Sequence, residues 1–294
     1  MEIVLHAGVH ATDENRILKC LLRNNELLAK RGVAVPGPSR YRTLLREALH
    51  HVETHAISPD TRETLLDAVL EENEPGDTDR MILSNKDFFS VPRIAVNGGL
   101  LYPMAPARVA KLAAMFEGDS LELFLGIRNP ATWLPAVYAE AAHANLDAFL
   151  SGMAPEDLRW SELIARIRAE APQVPITVWC NEDTPLIWGQ IIREAAGLEM
   201  TQKIVGAFDL LGEIMSKEGM KRFRAYLGEH PVMTERQKRR VMVAFLDKFA
   251  TEDELEEVID LPGWDEERIE TLTEIYDEDV YAIDRMPGVT LITP

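Results

Sequence analysis

Only two cysteines occur in 294 residues, Cys20 and Cys180, and neither belongs to a CxxC pair. That excludes a disulfide framework and a cysteine zinc site. No apolar run approaches the roughly 20 residues needed to span a bilayer. The N-terminus shows no basic segment followed by an apolar one, so no secretory leader is expected. With so little cysteine, the expected setting is cytoplasmic. Positive charge is also scarce: 31 Lys and Arg face 49 Asp and Glu, a formal net charge of -18. Proteins gain affinity for nucleic acid by neutralising phosphates with Lys and Arg, so a nucleic-acid partner is not expected. The same balance disfavours an anionic membrane surface. No repeat and no low-complexity tract is visible.

What remains is a chain that is 46% hydrophobic, enough for a substantial core. "EIVLHAG" (2–8) is short, apolar and β-branched, which predicts a buried strand. From Asp13 onward, Ile17, Leu18, Leu21, Leu22 and Leu28 recur at helical spacing, with Thr12 or Asp13 as the cap and Gly32 as the stop. "VAVPGPSRYR" reads as a turn-rich connector. Helices are expected at 41–53 and 59–72, and "EENEPGDTD" as a loop. Further strands are expected at 80–85, 120–129 and 175–181. The stretch 86–104 reads as irregular. Helices are expected at 106–117, at 130–145 with Pro130 in its first turn, at 160–170 and at 184–196. This alternation implies a parallel sheet covered on both faces.

After Gly197 the pattern contains no further strand, only helices at 208–216, 217–228, 234–250, 252–260 and 265–284. The expectation is a single α/β domain over 1–294, with a core of about 1–197 and a helical extension of about 198–294. Residues 251–285 hold fifteen acids against two arginines. Such a block is either a solvated helical face or a docking surface for a basic protein partner. The one basic cluster, "RQKRR" (236–240), reads as the solvent face of a helix, with internal pairing to the acidic block as an alternative.

The segment "HAGVHATDENRIL" (6–18) has the layout of a phosphate-binding strand–loop–helix, and the chain resembles the P-loop sulfotransferases. His6, Gly8, His10 and Thr12 match that family's loop. "RNPATWLPAVY" resembles its second signature through Arg128, Asn129, Pro130 and Tyr138. "ILSNKDFF", "VWCNEDTPLIWGQIIREAAGL" and "YDEDVYAIDRMPGV" resemble later family segments, so the likeness runs over most of the chain. The resemblance implies a three-layer α/β fold of the P-loop sulfotransferase type. It further implies 3′-phosphoadenosine 5′-phosphosulfate (PAPS) as cofactor, held by Gly8, Thr12 and Arg128. Sulfuryl transfer would go to a small hydroxyl-bearing acceptor, with His10 as base.

Several positions depart from the family pattern. The loop lysine falls on Ala11, the second glycine on Asp13, two threonines on Glu14 and Asn15, and the 3′-phosphate serine on Ala136. A phosphate loop works by aiming amides and a helix N-terminus at an anion. Two carboxylates about 5 Å from that anion, at an effective dielectric near 20, oppose it by several kcal/mol. The helix dipole offers only about 0.3–2 kcal/mol. Acids in a first helical turn also stabilise the helix with no ligand present, so Asp13 and Glu14 are expected either to repel PAPS or to turn away from it. The alternative function is therefore a noncatalytic protein of this fold, binding a metabolite or protein in the same crevice.

Individual residues keep more than one reading. His6 and His10, with Asp13 and Glu14 nearby, fit an acid/base pair, a metal site or a purely structural role. Arg128 ends a strand at the edge where α/β folds place ligands, and fits a phosphate grip or a salt bridge. Arg40 and Arg42 fit the crevice mouth or ordinary solvent exposure. Ser84, Asn85 and Lys86 end the second strand at the same edge, where Lys86 is a stand-in for the missing loop lysine. Trp133 fits a pocket wall or core packing, and Trp179 and Trp188 read as core.

Overall fold

The structure is a computed structural model and describes residues 1–70, 78–251, 259 and 261–294. The expected helix at 252–260 and much of the "EENEPGDTD" loop lie outside the described residues. The first strand, β1 (Glu2–His6), is followed by helices α1 (Arg16–Arg23) and α2 (Asn25–Ala29) and strand β2 (Val33–Ala34). Helices α3 (Pro38–His51) and α4 (Thr61–Leu70) lead to β3 (Arg80–Ser84). A small antiparallel ribbon, β4 (Val96–Asn97) with β5 (Leu100–Leu101), precedes α5 (Ala105–Met115) and β6 (Ser120–Ile127). Then come α6 (Pro130–Ala141), α7 (Leu146–Leu150), α8 (Trp160–Glu170), β7 (Ile176–Cys180) and α9 (Thr184–Ala195). The C-terminal part holds α10 (Asp209–Ile214), α11 (Lys217–Glu229), α12 (Glu235–Phe249), α13 (Glu266–Asp284) and β8 (Val289–Ile292).

Six strands form one parallel sheet in the order β2-β3-β1-β6-β7-β8. Alternate residues of each strand enter opposite cores, as the two-residue period of a strand requires. Ile3, Leu5, Met81, Leu83, Leu123 and Val178 face the larger core, built with α3, α5, α6, α8 and α13. Val4, Ile82, Phe124 and Trp179 face the other, built with α1 and α9. Helices thus cover both faces of the sheet, an α/β architecture in three layers. Strands buried on both faces explain why β1 and β3 read as unbroken apolar runs.

Three expectations are corrected. Strands do not stop after Gly197: β8 pairs in parallel with β7, Trp179 opposite Ile292. The "VAVPGPSRYR" connector contains β2, paired to β3 through Val33 and Arg80. Residues 86–104 contain the β4–β5 ribbon. The four missed strands have only two to four residues each, too few to display a period.

The region after 197 divides in two. Helices α10, α11 and α12 gather around a cluster of their own that includes Leu211, Phe223 and Met242. Leu272, Tyr276 and Ile283 of α13 instead lie in the main core. Within the basic cluster, Lys238 pairs with Glu235 at 2.7 Å, and Arg239 donates to the Gln190 side chain and the Thr293 carbonyl. No helix among the described residues is long and apolar enough to cross a membrane.

Candidate functional site

β1 lies between β3 and β6, and the chain leaves it first toward β2 and β3, later toward β6 and β7. Ligand crevices of open parallel sheets form at the carboxyl ends of strands where this direction reverses. His6 closes β1 there, in register with Ser84 of β3 and Phe124 of β6. The loop from Ala7 to Asn15 crosses this edge into α1.

Backbone constraints shape that loop. Gly8 has φ +25°, and a Cβ on it would lie 2.8 Å from the Lys86 Cα. Only a glycine lets the loop press so closely on the segment after β3. Ala11, Glu14 and Asn15 also adopt positive φ, at 56°, 51° and 64°. Such conformations carry strain in residues other than glycine and cluster at functional turns. The Thr12 hydroxyl donates to the Val9 carbonyl at 2.5 Å and so braces the loop rather than capping the helix.

Asp13 turns inward. It is only 9% exposed, and its Oδ1 accepts the main-chain N–H of Ile17 at 2.7 Å. Asn15, which precedes α1, is left-handed and makes no capping bond with its side chain, so Asp13 does that work. Its Oδ2 lies 4.0 Å from His6 Nδ1. The protein's own carboxylate thus meets an amide of the first turn of α1. Glu14, by contrast, is exposed.

His6 is buried, stacks on Trp179 and shares a 3.0 Å bond between Nδ1 and the Ser84 hydroxyl. Its Nε2 is buried without a partner among the described residues. Burial holds its pKa below 6.5, against the opposing pull of Asp13.

His10 is engaged on all sides. Its backbone N–H donates to the Tyr102 hydroxyl at 3.2 Å, and Nδ1 lies 2.7 Å from that same oxygen. Nε2 faces Asp87 Oδ1 at 3.3 Å, and its carbonyl accepts from the Trp133 indole at 3.0 Å. The Asp87 carboxylate only accepts, so Nε2–H donates to it, and in the neutral ring Nδ1 then accepts from the Tyr102 hydroxyl. Burial pushes the Tyr102 phenol up, so it stays protonated. The His10 bond holds the Asp87 carboxyl below its ordinary range. Tyr102 itself has φ 44°, an outlier for a bulky residue, stored in the turn after β5.

Arg128 donates through Nη1 to the Ala11 carbonyl at 2.5 Å and through Nε to the Thr132 hydroxyl at 2.9 Å, so it grips the loop itself. Arg42 folds over the same edge, donating to the Ser84 carbonyl at 2.8 and 2.9 Å and to the Asn15 side chain at 2.5 Å. Lys86 is half-buried next to Gly8. A second acid closes the neighbouring helix: Glu182 accepts the Asn129 N–H at 2.8 Å and the Tyr276 hydroxyl at 3.1 Å. Asn129 in turn caps α6 through the Ala131 N–H, with Pro130 in the first turn as expected.

Gly8, His10, Thr12 and Arg128, all selected from the sequence, therefore meet around one loop. Trp133 and Trp160, fully buried against each other, form part of the floor. Asp87 and Tyr102 were not anticipated. Asp87 carries a faint signal as the acid after the second strand in "SNKDFF". Tyr102 carries none, because it lies 92 residues from His10.

One cavity, of about 150 Å³, borders the loop beside Asp13, Arg16, Trp179 and Trp188. A larger one, of about 640 Å³, lies between α3 and the segment after β3. Among the described residues, no group of three or more His, Cys, Asp and Glu is placed to hold a metal ion. The two histidines of the loop face separate surroundings, His6 toward Ser84 and His10 toward Tyr102 and Asp87. No protein-family model matches the chain, and no curated protein does.

Proposed function

We propose that this chain is a sulfotransferase-like protein whose phosphosulfate seat is filled from within, and whose crevice binds a small-molecule ligand without group transfer. One observation carries the reading: the buried Asp13 carboxylate on the Ile17 N–H. An anion entering that seat must displace a hydrogen bond already made and then sit beside a fixed negative charge. Catalysis of sulfuryl transfer depends on charge stabilisation, as phosphoryl transfer does, and the loop supplies none where Ala11 stands.

A second reading keeps transfer from PAPS to a hydroxyl-bearing acceptor. It is favoured by the place of Lys86, which follows β3 with its main chain packed against Gly8 and is the lysine nearest in the fold to the loop's glycine turn. Asp87, 45% exposed and oriented by His10, would then receive the acceptor's proton in place of His10, whose two ring nitrogens are engaged.

Calorimetric titration and thermal unfolding with PAPS and its desulfonated product separate the two. A ligand present at 100 times its dissociation constant stabilises by about 2.7 kcal/mol. The expected outcome is no shift with either nucleotide at millimolar concentration. A shift that disappears in Arg128→Ala, or turnover of any acceptor, overturns the first reading in favour of the second.

A further inference from the structure

The larger cavity has a chemistry of its own. Arg42, Arg46 and Arg108 line it, yet no carboxylate forms an ion pair with any of them among the described residues. Arg42 and Arg108 spend donors on main-chain carbonyls, of Ser84 and of Phe88, and a carbonyl accepts a hydrogen bond without neutralising the charge. The Arg108 Nε is buried with no partner. A buried, unmet donor on a cation calls for an explanation, and an anion supplied from outside is one. Burial lowers the pKa of Arg108, the mark of a guanidinium without full compensation.

The acids on the cavity are otherwise occupied or differently placed. Glu53, which acts electrostatically on Arg108, bonds His50 at 3.2 Å. Asp87 is fixed by His10. Glu47 lies on the exposed face of α3. Three guanidiniums and three carboxylates, Glu47, Glu53 and Asp87, share this hollow, and among the described residues none of these guanidiniums forms an ion pair with any of these carboxylates. Between the charged groups the wall is apolar: Leu45, Leu49 and Phe88 are buried, while Val91 and Ile94 are exposed side chains along it. The volume of about 640 Å³ is that of a small-molecule site.

We infer that this cavity binds a small amphipathic carboxylate. The anionic head meets Arg108, the apolar body lies on Phe88 and Ile94, and a hydroxyl or ammonium donor meets Asp87, which Arg42 neighbours. Asp87 can accept only, because its carboxylate is ionised, so the group facing it must donate. The inference rests on the reading of the crevice as a ligand site and adds the class of ligand.

The test is calorimetric titration of the intact protein with 4-hydroxybenzoate, 4-hydroxyphenylacetate and 12-hydroxydodecanoate, each beside its methyl ester and its deoxy analogue. At least one acid is expected to bind, with its ester weaker by tenfold or more and its deoxy analogue weaker by several-fold. Arg108→Gln should abolish the preference for acid over ester, and Asp87→Asn should reduce the preference for the hydroxyl. The acid–ester comparison on the unaltered protein stands even if a variant fails to fold. Equal binding of acid and ester, or no binding by any acid at 10 mM, overturns the inference. Binding of PAPS in a parallel titration would overturn the filled-seat reading alone and leave the acid–ester ratio as the measure of this one.

Discussion

Asp13 and Ile17 are joined by a 2.7 Å bond from main-chain amide to carboxylate, and this bond occupies the N-terminus of α1. It makes Asp13 a structural residue of the loop. Asp13→Ala should lower unfolding free energy by about 1–2 kcal/mol, the usual cost of a lost helix cap. Asp13→Asn keeps an acceptor and should cost only a few tenths. Chemical denaturation of the two variants checks the difference.

Gly8 and Lys86 meet main chain to main chain, and a Gly8→Ala change would put a Cβ 2.8 Å from the Lys86 Cα at a φ of +25°. The backbone cannot yield as a flexible side chain would. A loss of about 1–3 kcal/mol is expected from overpacking, with larger losses where the loop separates from the β3 edge. The denaturation midpoint checks this.

The Tyr102 hydroxyl serves both the amide and the ring of His10. Tyr102→Phe leaves a buried amide unmet and should cost about 1–3 kcal/mol. In the unaltered protein, nitrogen NMR of the His10 ring should show the proton on Nε2. A proton on Nδ1 in the neutral ring would contradict the relay to Asp87.

His6 gives the pH dependence a definite sign. Its pKa in the folded protein is lowered by burial from the ordinary 6.5. The unfolded chain therefore takes the proton first, and stability rises with pH wherever that difference holds. The stability that His6 contributes should be complete above pH 6.5 and decline as the pH falls below it. His6→Asn should flatten that part of the profile of denaturation midpoint against pH. An unchanged slope would show that His6 titrates alike in the folded and unfolded chain.

Ile292 of β8 is buried against the Trp179 side of the sheet. Ile292→Ala should cost about 2–3 kcal/mol by removing buried methyl groups from the sheet edge. An effect near zero would mean that β8 is not needed to cover that edge.

The alternation of elements was legible because hydrophobic period and helix punctuation are local. β1, β3, β6 and β7 announced themselves as apolar runs, Pro130 marked the start of α6, and Gly8 marked a tight turn. Local sequence also brought His10, Thr12 and Arg128 under suspicion. The direction of a side chain was not legible. Asp13 was expected either to repel an anion or to turn away from one. It turns inward and accepts the Ile17 N–H, beside the left-handed backbone of Glu14 and Asn15.

By itself, then, the sequence determined a parallel α/β sheet, an excess of acid and a strand–loop–helix whose loop carries Asp13 and Glu14. Tertiary structure decided what those loop residues touch. It brought Tyr102 to His10, Arg128 to Ala11 and the last strand to the sheet edge. Such contacts join segments tens to more than a hundred residues apart. They depend on strand order and packing, which no local propensity encodes.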